Sequence, residues 1–204
     1  MGTSTDYLTL ANFCSYANMT TASHPTEAAA AITAASRAID GWCSRSFSVA
    51  SSTSSRVYKA DHQHRLEIDD LSATTGLTVI TDEGDTGTYG TSWTITTDFV
   101  LEPFNGRVGG ITGWPYTQIR AVGARWFPSG YQRPRVQVTS AYWGWAAVPD
   151  AVTQACYELA LDLFKMKDAP FGVAGFNEYG VMRVRENKGV QMLLAPYRRH
   201  AVLI

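Results

Sequence analysis

Residues 133–164 read RPRVQVTSAYWGWAAVPDAVTQACYELALDLF, and the hydrophobic pattern changes within this stretch from that of a strand to that of a helix. Apolar and polar residues alternate through Arg135–Tyr142, as they do in a half-buried β-strand. After Pro149 the apolar side chains recur every three or four residues, which predicts an amphipathic helix near residues 149–167. Its apolar positions are Val152, Cys156, Leu159, Ala160 and Leu163. The chain therefore leaves a β-rich region and enters a helix close to residue 147.

Two further helices are predicted before the β-rich region. Thr9 is a suitable N-cap for a short amphipathic helix near residues 9–17. Pro25 suits the first turn of a second helix near residues 25–44, and the acidic Glu27 lies in the same turn, where the helix dipole favours negative charge. Small residues, mainly alanines, along one face of the second helix allow a neighbouring helix to approach closely. We therefore predict that the three helices pack in a small bundle.

Between these helices the chain is rich in Thr, Val, Tyr, Trp and Gly, a composition that favours β-structure. Seven short strands are predicted, at Arg56–Tyr58, Arg65–Ile68, Leu77–Thr81, Ser92–Ile95, Phe99–Leu101, Ile119–Val122 and Arg135–Tyr142. Turn-forming residues separate them, including Pro103–Gly106 and the pair Gly109–Gly110. Strands of this length and spacing are typical of a small sandwich or barrel-like domain.

These elements predict an α+β protein in which a helical bundle is interrupted by an antiparallel β-rich insertion. The predicted domains are a helical domain of residues 1–47 and 147–168, the insertion of residues 48–146, and a C-terminal arm of residues 169–204. Glycines interrupt residues 168–189 and disfavour a stable helix, while the apolar content disfavours simple disorder. We therefore predict a hairpin or extended arm, followed by one helical turn around Leu193 and Leu194 before Pro196.

Composition and charge restrict the classes of partner. The 204 residues include 17 basic and 18 acidic side chains, for a formal net charge of −1, so the chain lacks the broad positive field that duplex binding requires. Charged residues make up 17% of the sequence, below the roughly 25% typical of soluble domains, which indicates a surface partly covered by partner proteins. No stretch approaches the ~20 apolar residues of a membrane span. We therefore expect protein partners, with neither nucleic acid as the main partner nor a membrane.

The three cysteines, Cys14, Cys43 and Cys156, each lie in an apolar helical pattern, and none belongs to a CxxC pair. They are predicted to be buried and to pack as small hydrophobic residues. The odd count, together with the absence of a signal-like apolar run at the N-terminus, indicates folding in a reducing cytosol.

Two groups of side chains resemble metal-ligand clusters. His62 and His64 alternate in a predicted strand and face the same side, but a zinc site needs further ligands, so exposed polar residues are the preferred interpretation. Asp82, Glu83 and Asp85 superficially resemble a calcium loop. The twelve-residue pattern with its terminal glutamate is missing, however, and a β-turn explains these residue types. We therefore assign no metal ligands.

The sequence contains no GxSxG nucleophile elbow and neither of the glycine-rich phosphate-binding patterns. We therefore assign no catalytic residues and no cofactor, and we do not expect an enzyme. The cluster Tyr142-Trp143-Gly144-Trp145 has two interpretations. Trp143 and Trp145 could form a stacking platform for a carbohydrate or a base, but aromatic side chains that close the junction between the insertion and the third helix are the preferred interpretation.

Several stretches form a pattern that extends through nearly the whole chain. The most specific are GWCSRSF at residues 41–47 and the stretch from VQVT through WGWAAVPDAV at residues 136–152. Further parts are YLTLANFCSY at residues 7–16, TGLTVITDEGDTGTY at residues 75–89, WTITTDFVLEP at residues 93–103 and KMKDAPFGVAGFNEYGVMRV at residues 165–184. With the order of elements, these stretches resemble the head-to-tail connector, adaptor or head-completion proteins of long-tailed bacteriophages, particularly those that infect actinobacteria.

The resemblance implies a structural virion protein that is synthesised in the host cytoplasm and forms a ring, usually twelvefold, beneath the portal in the neck. The ring would bind the portal protein on one side and a stopper or another tail-side neck protein on the other. DNA would pass through its lumen without specific binding. The resemblance also implies that the helical domain forms the ring body and that the C-terminal arm contacts the portal.

The arm carries apolar side chains that the predicted fold cannot bury locally, and these are the candidates for portal contact. They are Phe171, Phe176, Tyr179, Met182, Leu193, Leu194 and Tyr197. Deleting residues 170–204 is predicted to abolish portal binding and to leave a folded body.

Three other interpretations stay open, and an enzyme, for which no sequence pattern argues, is the third. A stopper or tail terminator is also a ring protein of the neck or tail, but such proteins are dominated by β-structure, so the helices at both ends of this chain favour an adaptor. A carbohydrate- or peptide-binding module built on the β insertion is the second alternative.

Overall fold

The structure is a computed structural model that describes residues 5–129, 133–140, 142–166 and 187–199. The chain divides into two compact units, a β unit of Val49–Ala147 and a helical unit of Thr3–Ser48 with Val148–Ile204. The predicted α+β class, with a helical region interrupted by an antiparallel β-rich insertion, is confirmed.

The helical unit contains four α-helices among the described residues. They are α1 (Leu10–Tyr16), α2 (Pro25–Cys43), α3 (Asp150–Lys165) and α4 (Lys188–Leu194), and a 3-10 turn at Ala195–Tyr197 follows α4. The first three correspond to the predicted helices. Thr9 caps α1 as expected, since its side chain accepts a hydrogen bond from the Asn12 N–H at 3.2 Å. Pro25 occupies the first turn of α2, and Ser44, with a φ of 53°, ends it.

Helices α2 and α3 form the main helix pair of this unit. Alanines and Ile39 of α2 are buried, as are Val152, Cys156 and Leu159 of α3. The small side chains of α2 allow the close approach that its sequence predicted. One consequence is that the Ser36 Oγ of α2 lies 3.7 Å from the Cys156 Sγ of α3.

The segment before α1 is fixed to α2 through Tyr7. Its backbone N–H donates to the Ser36 Oγ at 3.1 Å, and its hydroxyl donates to the Asp40 carboxylate while accepting the Phe47 N–H at 2.9 Å. Burial, with the neighbouring Asp40 charge as a second cause, raises the pKa of the Tyr7 phenol well above its ordinary value. Tyr7 therefore stays protonated and can donate this hydrogen bond throughout the neutral pH range.

Residues 187–199 belong to the helical unit as α4 and its following turn, whereas the sequence predicted only one helical turn around Leu193 and Leu194 at the end of a portal-docking arm. Val190, Leu194 and Tyr197 are buried, and α4 packs on α3. The Arg199 N–H donates to the Cys43 carbonyl at 2.8 Å, so the end of this segment is also fixed to the end of α2. The reason for the difference is that the apolar face of α4 finds its partner inside the chain. The rest of the predicted arm, residues 169–186 and 200–204, lies outside the described residues.

The β unit contains nine strands among the described residues, and all of their pairings are antiparallel. They are β1 (Ser54–Tyr58), β2 (Arg65–Leu71), β3 (Thr78–Thr81), β4 (Thr91–Trp93), β5 (Phe99–Glu102), β6 (Arg107–Val108), β7 (Ile111–Thr112), β8 (Tyr116–Ala121) and β9 (Val136–Ser140). They form a four-stranded sheet in the order β1-β9-β3-β4, a three-stranded sheet in the order β2-β8-β5, and the hairpin β6-β7. The seven predicted strands are all present, with shifted ends, whereas β6 and β7 were not predicted because two residues are too few to show a period.

The core of the β unit joins the inward-facing residues of both larger sheets. Alternate positions of β2 and β9 are buried, which is the pattern that their sequences predicted. The shared cluster includes Leu66, Ile119 and Phe99 from the three-stranded sheet and Val79 and Val138 from the four-stranded sheet. Inward faces that meet in one cluster are the arrangement of a small sandwich.

Candidate interaction surfaces

The cluster at residues 142–145 does not form a binding platform. Trp143 and Trp145 are only 1% and 2% exposed. The Trp143 Nε1 donates to the Ser54 carbonyl at 3.0 Å, and the Trp145 Nε1 donates to the Asp70 carboxylate at 2.9 Å. Both indoles are therefore structural, and the stacking platform considered from sequence is wrong because neither ring face can reach a ligand.

Other large apolar side chains remain exposed in this structure. The most exposed are Met192 at 78%, Trp126 at 62% and Phe104 at 58%. None of the three was predicted as a contact residue. The only sequence signal was that Phe104 and Trp126 lie in segments rich in Gly and Pro, where turns carry side chains outward.

Phe104 lies in a projection of the β unit that we call the hairpin knob, residues 103–113. Gly109 and Gly110 both have positive φ, 57° and 86°, as a two-residue hairpin turn between β6 and β7 requires. The Trp114 N–H donates to the Gly106 carbonyl at 2.9 Å and closes the base of the knob. The ring of Trp114 packs edge-on against that of Trp145, with centroids 4.9 Å apart. The knob is thus anchored in the core while Phe104 projects from it.

Trp126 lies in the loop that follows β8, residues 122–129. Asp98 fixes this loop, because its carboxylate accepts from the Arg125 Nε at 3.0 Å and its carbonyl accepts the Val122 N–H at 2.9 Å. Hydrogen bonds from the Thr94 N–H and from Arg125 lower the pKa of the Asp98 carboxyl below its ordinary value. Asp98 is therefore ionised at neutral pH and holds the loop in one conformation.

The next residue of the loop anchors it from the other side. Phe127 is buried and stacks on Trp93, with centroids 4.6 Å apart and planes 13° from parallel. Its backbone N–H donates to the Gln63 carbonyl at 2.7 Å. Since both neighbours of Trp126 are held, its indole is presented outward from a rigid backbone, which reduces the entropy that a partner would have to restrict.

A cleft of about 370 Å³ lies beside Trp126, and we call it the Trp126 cleft. Its lining residues are Gln63, Glu83, Ala124, Arg125, Trp126, Phe127, Pro128, Ser129 and Arg135. The wall therefore combines an aromatic and proline surface with one carboxylate and two guanidinium groups. This composition suits a partner side chain that is apolar at its base and charged at its edge.

The acidic turn beside this cleft is structural. The Asp82 carboxylate accepts the N–H groups of Thr86 at 3.0 Å and Gly87 at 2.7 Å, and Arg133 pairs with Asp85 at 2.7 Å. Burial by itself would raise the pKa of the Asp82 carboxyl, but these N–H groups, the Thr86 hydroxyl and Arg133 lower it below its ordinary value. The oxygens of Asp82 are thus engaged in the turn, which agrees with the β-turn interpretation.

His62 and His64 are both exposed and line a second, more open cleft of about 570 Å³. Arg65 and Arg120 lie in the same wall, and Arg120 pairs with Glu102 at 2.7 Å. No group of three or more potential metal ligands occurs within the part of the chain that the structure describes.

The cysteines are free and buried, as predicted. Burial raises the pKa of the Cys43 and Cys156 thiols to about 12. Both therefore remain thiols near neutral pH, and the thiolate that nucleophilic or metal chemistry needs is not formed.

The predicted portal contacts fall into two groups. Phe171, Phe176, Tyr179 and Met182 lie outside the described residues. Leu193 is half-buried, whereas Leu194 and Tyr197 are buried within the helical unit, where the Tyr197 ring packs edge-on against Phe47 at 5.9 Å. On α4 it is Met192, next to Leu193, that points to solvent. Deletion of residues 170–204 would also remove these buried side chains, so the truncated body is not expected to keep its fold.

None of the helices in the described ranges combines the length and the apolar character needed to cross a membrane. No protein-family model matches the chain, and no curated protein matches its sequence.

Solved structures that contain a chain of similar fold include two particles. One is the neck of an empty GTA particle computed with C6 symmetry, where the TM-score is 0.55 and the identity 18% over 97% of this chain and 92% of that chain. The other is the virion of a native gene transfer agent (GTA) particle, where the TM-score is 0.52 with the same identity and coverage. At this identity the likeness concerns the fold, and it extends over both units.

Proposed function

We propose that this chain is a structural subunit of the neck of a tailed-phage-type particle. In this role it is a head-to-tail adaptor whose copies form a ring beneath the portal. The ring joins the portal to a stopper or another tail-side protein, and DNA passes through its lumen without specific binding. We take the ring to have twelve copies, the number that the sequence resemblance implies.

The observation that carries the proposal is the extent of the fold likeness. It covers 97% of this chain and 92% of a chain in a particle neck, so the helical unit and the β unit are both included. That neck was computed with C6 symmetry, and repeated copies around one axis are what a ring of adaptors requires. The resemblance to adaptor proteins, found from sequence, supports the same role independently.

The side-chain chemistry is also consistent with a structural protein. The described thiols are buried, the acidic turn is engaged in its own hydrogen bonds, and the net charge of −1 gives no strong attraction for the DNA that would pass the ring. We therefore propose an assembly role and not an enzymatic one.

The proposal is tested by electron cryomicroscopy of the purified protein mixed with its cognate portal, with a portal from an unrelated phage as the control. We expect a ring seated on the tail-facing side of the cognate portal only. A ring that binds purified tail-side proteins but never the portal would favour a stopper or tail terminator. Absence of any association with portal or tail proteins would contradict a neck role.

A further inference from the structure

The β unit exposes one large aromatic side chain near each end of β8. The hairpin knob with Phe104 precedes Tyr116, and the loop with Trp126 follows Ala121. A strand of six residues spans about 20 Å, so knob and cleft lie at opposite ends of the three-stranded sheet. The knob of one molecule is therefore too far away to fill its own cleft.

The two surfaces are compatible in size and in apolar character. The cleft of about 370 Å³ is near the lower limit for sites that bind small molecules, and this size suits one aromatic side chain better than an extended ligand. Trp126, Phe127 and Pro128 supply apolar wall. Phe104 is an exposed aromatic group of the knob, and Val108 of the same knob is also exposed. Exposed aromatic groups next to pockets are typical of the centres of protein interfaces.

The charges of the two surfaces are also complementary. Arg107 is exposed on the knob, three residues after Phe104, and it has no acidic partner in the described part of the chain. Glu83, at the cleft, forms a long ion pair with the Arg125 Nη1 at 3.6 Å, whereas Arg125 pairs more closely with Asp98 at 3.0 Å. The knob thus carries an aromatic ring and a cation. The cleft carries an aromatic ring and the Glu83 anion, and its two guanidinium groups are already paired with other carboxylates, Arg125 with Asp98 and Arg135 with Asp85 at 3.8 Å.

We propose that the hairpin knob of one copy docks into the Trp126 cleft of a second copy, with Phe104 against Trp126 and Arg107 paired with Glu83. Because the two surfaces differ, the contact is heterologous, and each copy binds two neighbours. That these contacts close into a ring rests on the proposed function. The contact between two copies does not, because it requires no protein other than this chain. Burial of two aromatic side chains, one on each copy, accounts for about 400 Å², roughly a quarter of the ~1,600 Å² total that a standard interface buries on both partners, and the flanks of the knob and the cleft supply the remainder.

Sedimentation velocity over a concentration series tests the contact. The average mass of the wild-type species in solution should rise with protein concentration. The substitutions Phe104→Ser and Trp126→Ser should each raise the dissociation constant of self-association about tenfold or more. The matched control is Val57→Ser, which removes an apolar side chain of 50% exposure on β1 and should change the dissociation constant by less than about twofold. Circular dichroism verifies that each variant is folded.

A mixing experiment identifies the geometry. Phe104→Ser keeps an intact cleft and Trp126→Ser keeps an intact knob, so an equimolar mixture should form one-to-one dimers with wild-type affinity and no larger species. If Phe104 instead contacted Phe104 of the second copy, mixing would restore nothing. A wild-type protein that remains monomeric at every soluble concentration, or variants that associate like the wild type, would overturn the proposal.

Charge reversal tests the ion pair. Arg107→Glu and Glu83→Arg should each weaken association, and the chain that carries both changes should return to within about twofold of wild type, since every interface is again complementary. Failure of this rescue would overturn the Arg107–Glu83 pairing.

Portal binding separates this proposal from the neck role. If wild-type protein self-associates through Phe104 and Trp126 but never binds a portal, the contact stands and the neck role fails. If Phe104→Ser weakens portal binding and leaves self-association unchanged, the knob belongs to the portal contact and the present proposal fails.

Discussion

Asp98 illustrates how one residue positions a surface that it does not form. Its carboxylate holds Arg125 and the Thr94 N–H, and its backbone carbonyl holds the start of the loop that presents Trp126. Because these bonds need the ionised form, they lower the pKa of the carboxyl in the folded state. The same bonds therefore make the loop sensitive to acid.

The Asp98→Asn variant gives a pH-dependent prediction. The Asp98 carboxyl has a lower pKa in the folded protein than in the unfolded chain, where it is about 3.9. Its ionised form therefore adds to the free energy of unfolding at any pH above the unfolded-state pKa, and this contribution is lost as the pH falls through the folded-state pKa. Wild type should therefore be more stable than Asp98→Asn at pH 7, and this difference should shrink below about pH 4. Urea unfolding of both proteins at pH 7 and at pH 3 measures this difference in the free energy of unfolding. A difference that is the same at pH 7 and pH 3 would mean that ionisation of Asp98 is not the cause.

At the scale of single elements, α4 shows how a short helix is divided between core and surface. Val190 and Leu194 are buried against the helical unit, while Met192 is 78% exposed. The Asn187 side chain caps the helix by accepting the Val190 N–H at 3.1 Å. A seven-residue helix has little stability of its own, so its packing on α3 determines whether it forms.

Two substitutions on this helix test its division between core and surface. Leu194→Ala should lower the free energy of unfolding by about 2–5 kcal/mol because it leaves a cavity. Met192→Ala should change it by less than about 0.5 kcal/mol. Chemical unfolding followed by circular dichroism compares the two. Equal effects would show that α4 is not packed as described, whereas weaker portal binding by Met192→Ala with unchanged stability would add Met192 to the portal contacts.

For the whole molecule, the position of α4 changes how portal binding must be tested. Gly189 of α4 lies close to Glu158 of α3, and Tyr197 lies near Asp150 at the start of α3, so α4 runs back along α3. The end of α3 is then about 10 Å beyond Glu158 along the helix axis, and neighbouring helix axes are 8–10 Å apart. A six-residue Gly/Ser linker, with a span of about 14 Å, is long enough to join the two helices.

Replacement of residues 168–185 by such a linker removes Phe171, Phe176, Tyr179 and Met182 and keeps α4. We expect this variant to retain the wild-type unfolding midpoint within about 3 °C, because no described core residue is removed, and to lose binding to purified portal in a pull-down. A scrambled segment of the same composition serves as the control for length. Saturable portal binding by the linker variant would show that residues 168–185 are not the portal contact.

The positions of most helices and strands follow from local patterns. Helix starts and turns are marked by single residues that affect only the neighbouring backbone, such as Thr9, Pro25 and the pair Gly109–Gly110. A period of two or 3.6 in the apolar residues indicates which positions of a strand or helix share a face. The α+β class, the helices α1, α2 and α3, and seven of the strands could therefore be predicted. The two-residue strands β6 and β7 could not, since a period needs several repeats to be recognised.

Whether a given apolar side chain is buried or exposed depends instead on contacts between distant parts of the chain. Trp143 and Trp126 both occur in aromatic segments near glycine, yet Trp143 is covered by the sandwich core and Trp126 projects from an anchored loop. Likewise, Leu194 and Tyr197 resembled free contact residues until their partners, α3 and Phe47, were known. Local sequence sets how apolar a segment is, but the surface that covers it comes from residues tens to more than a hundred positions away, which no local pattern specifies.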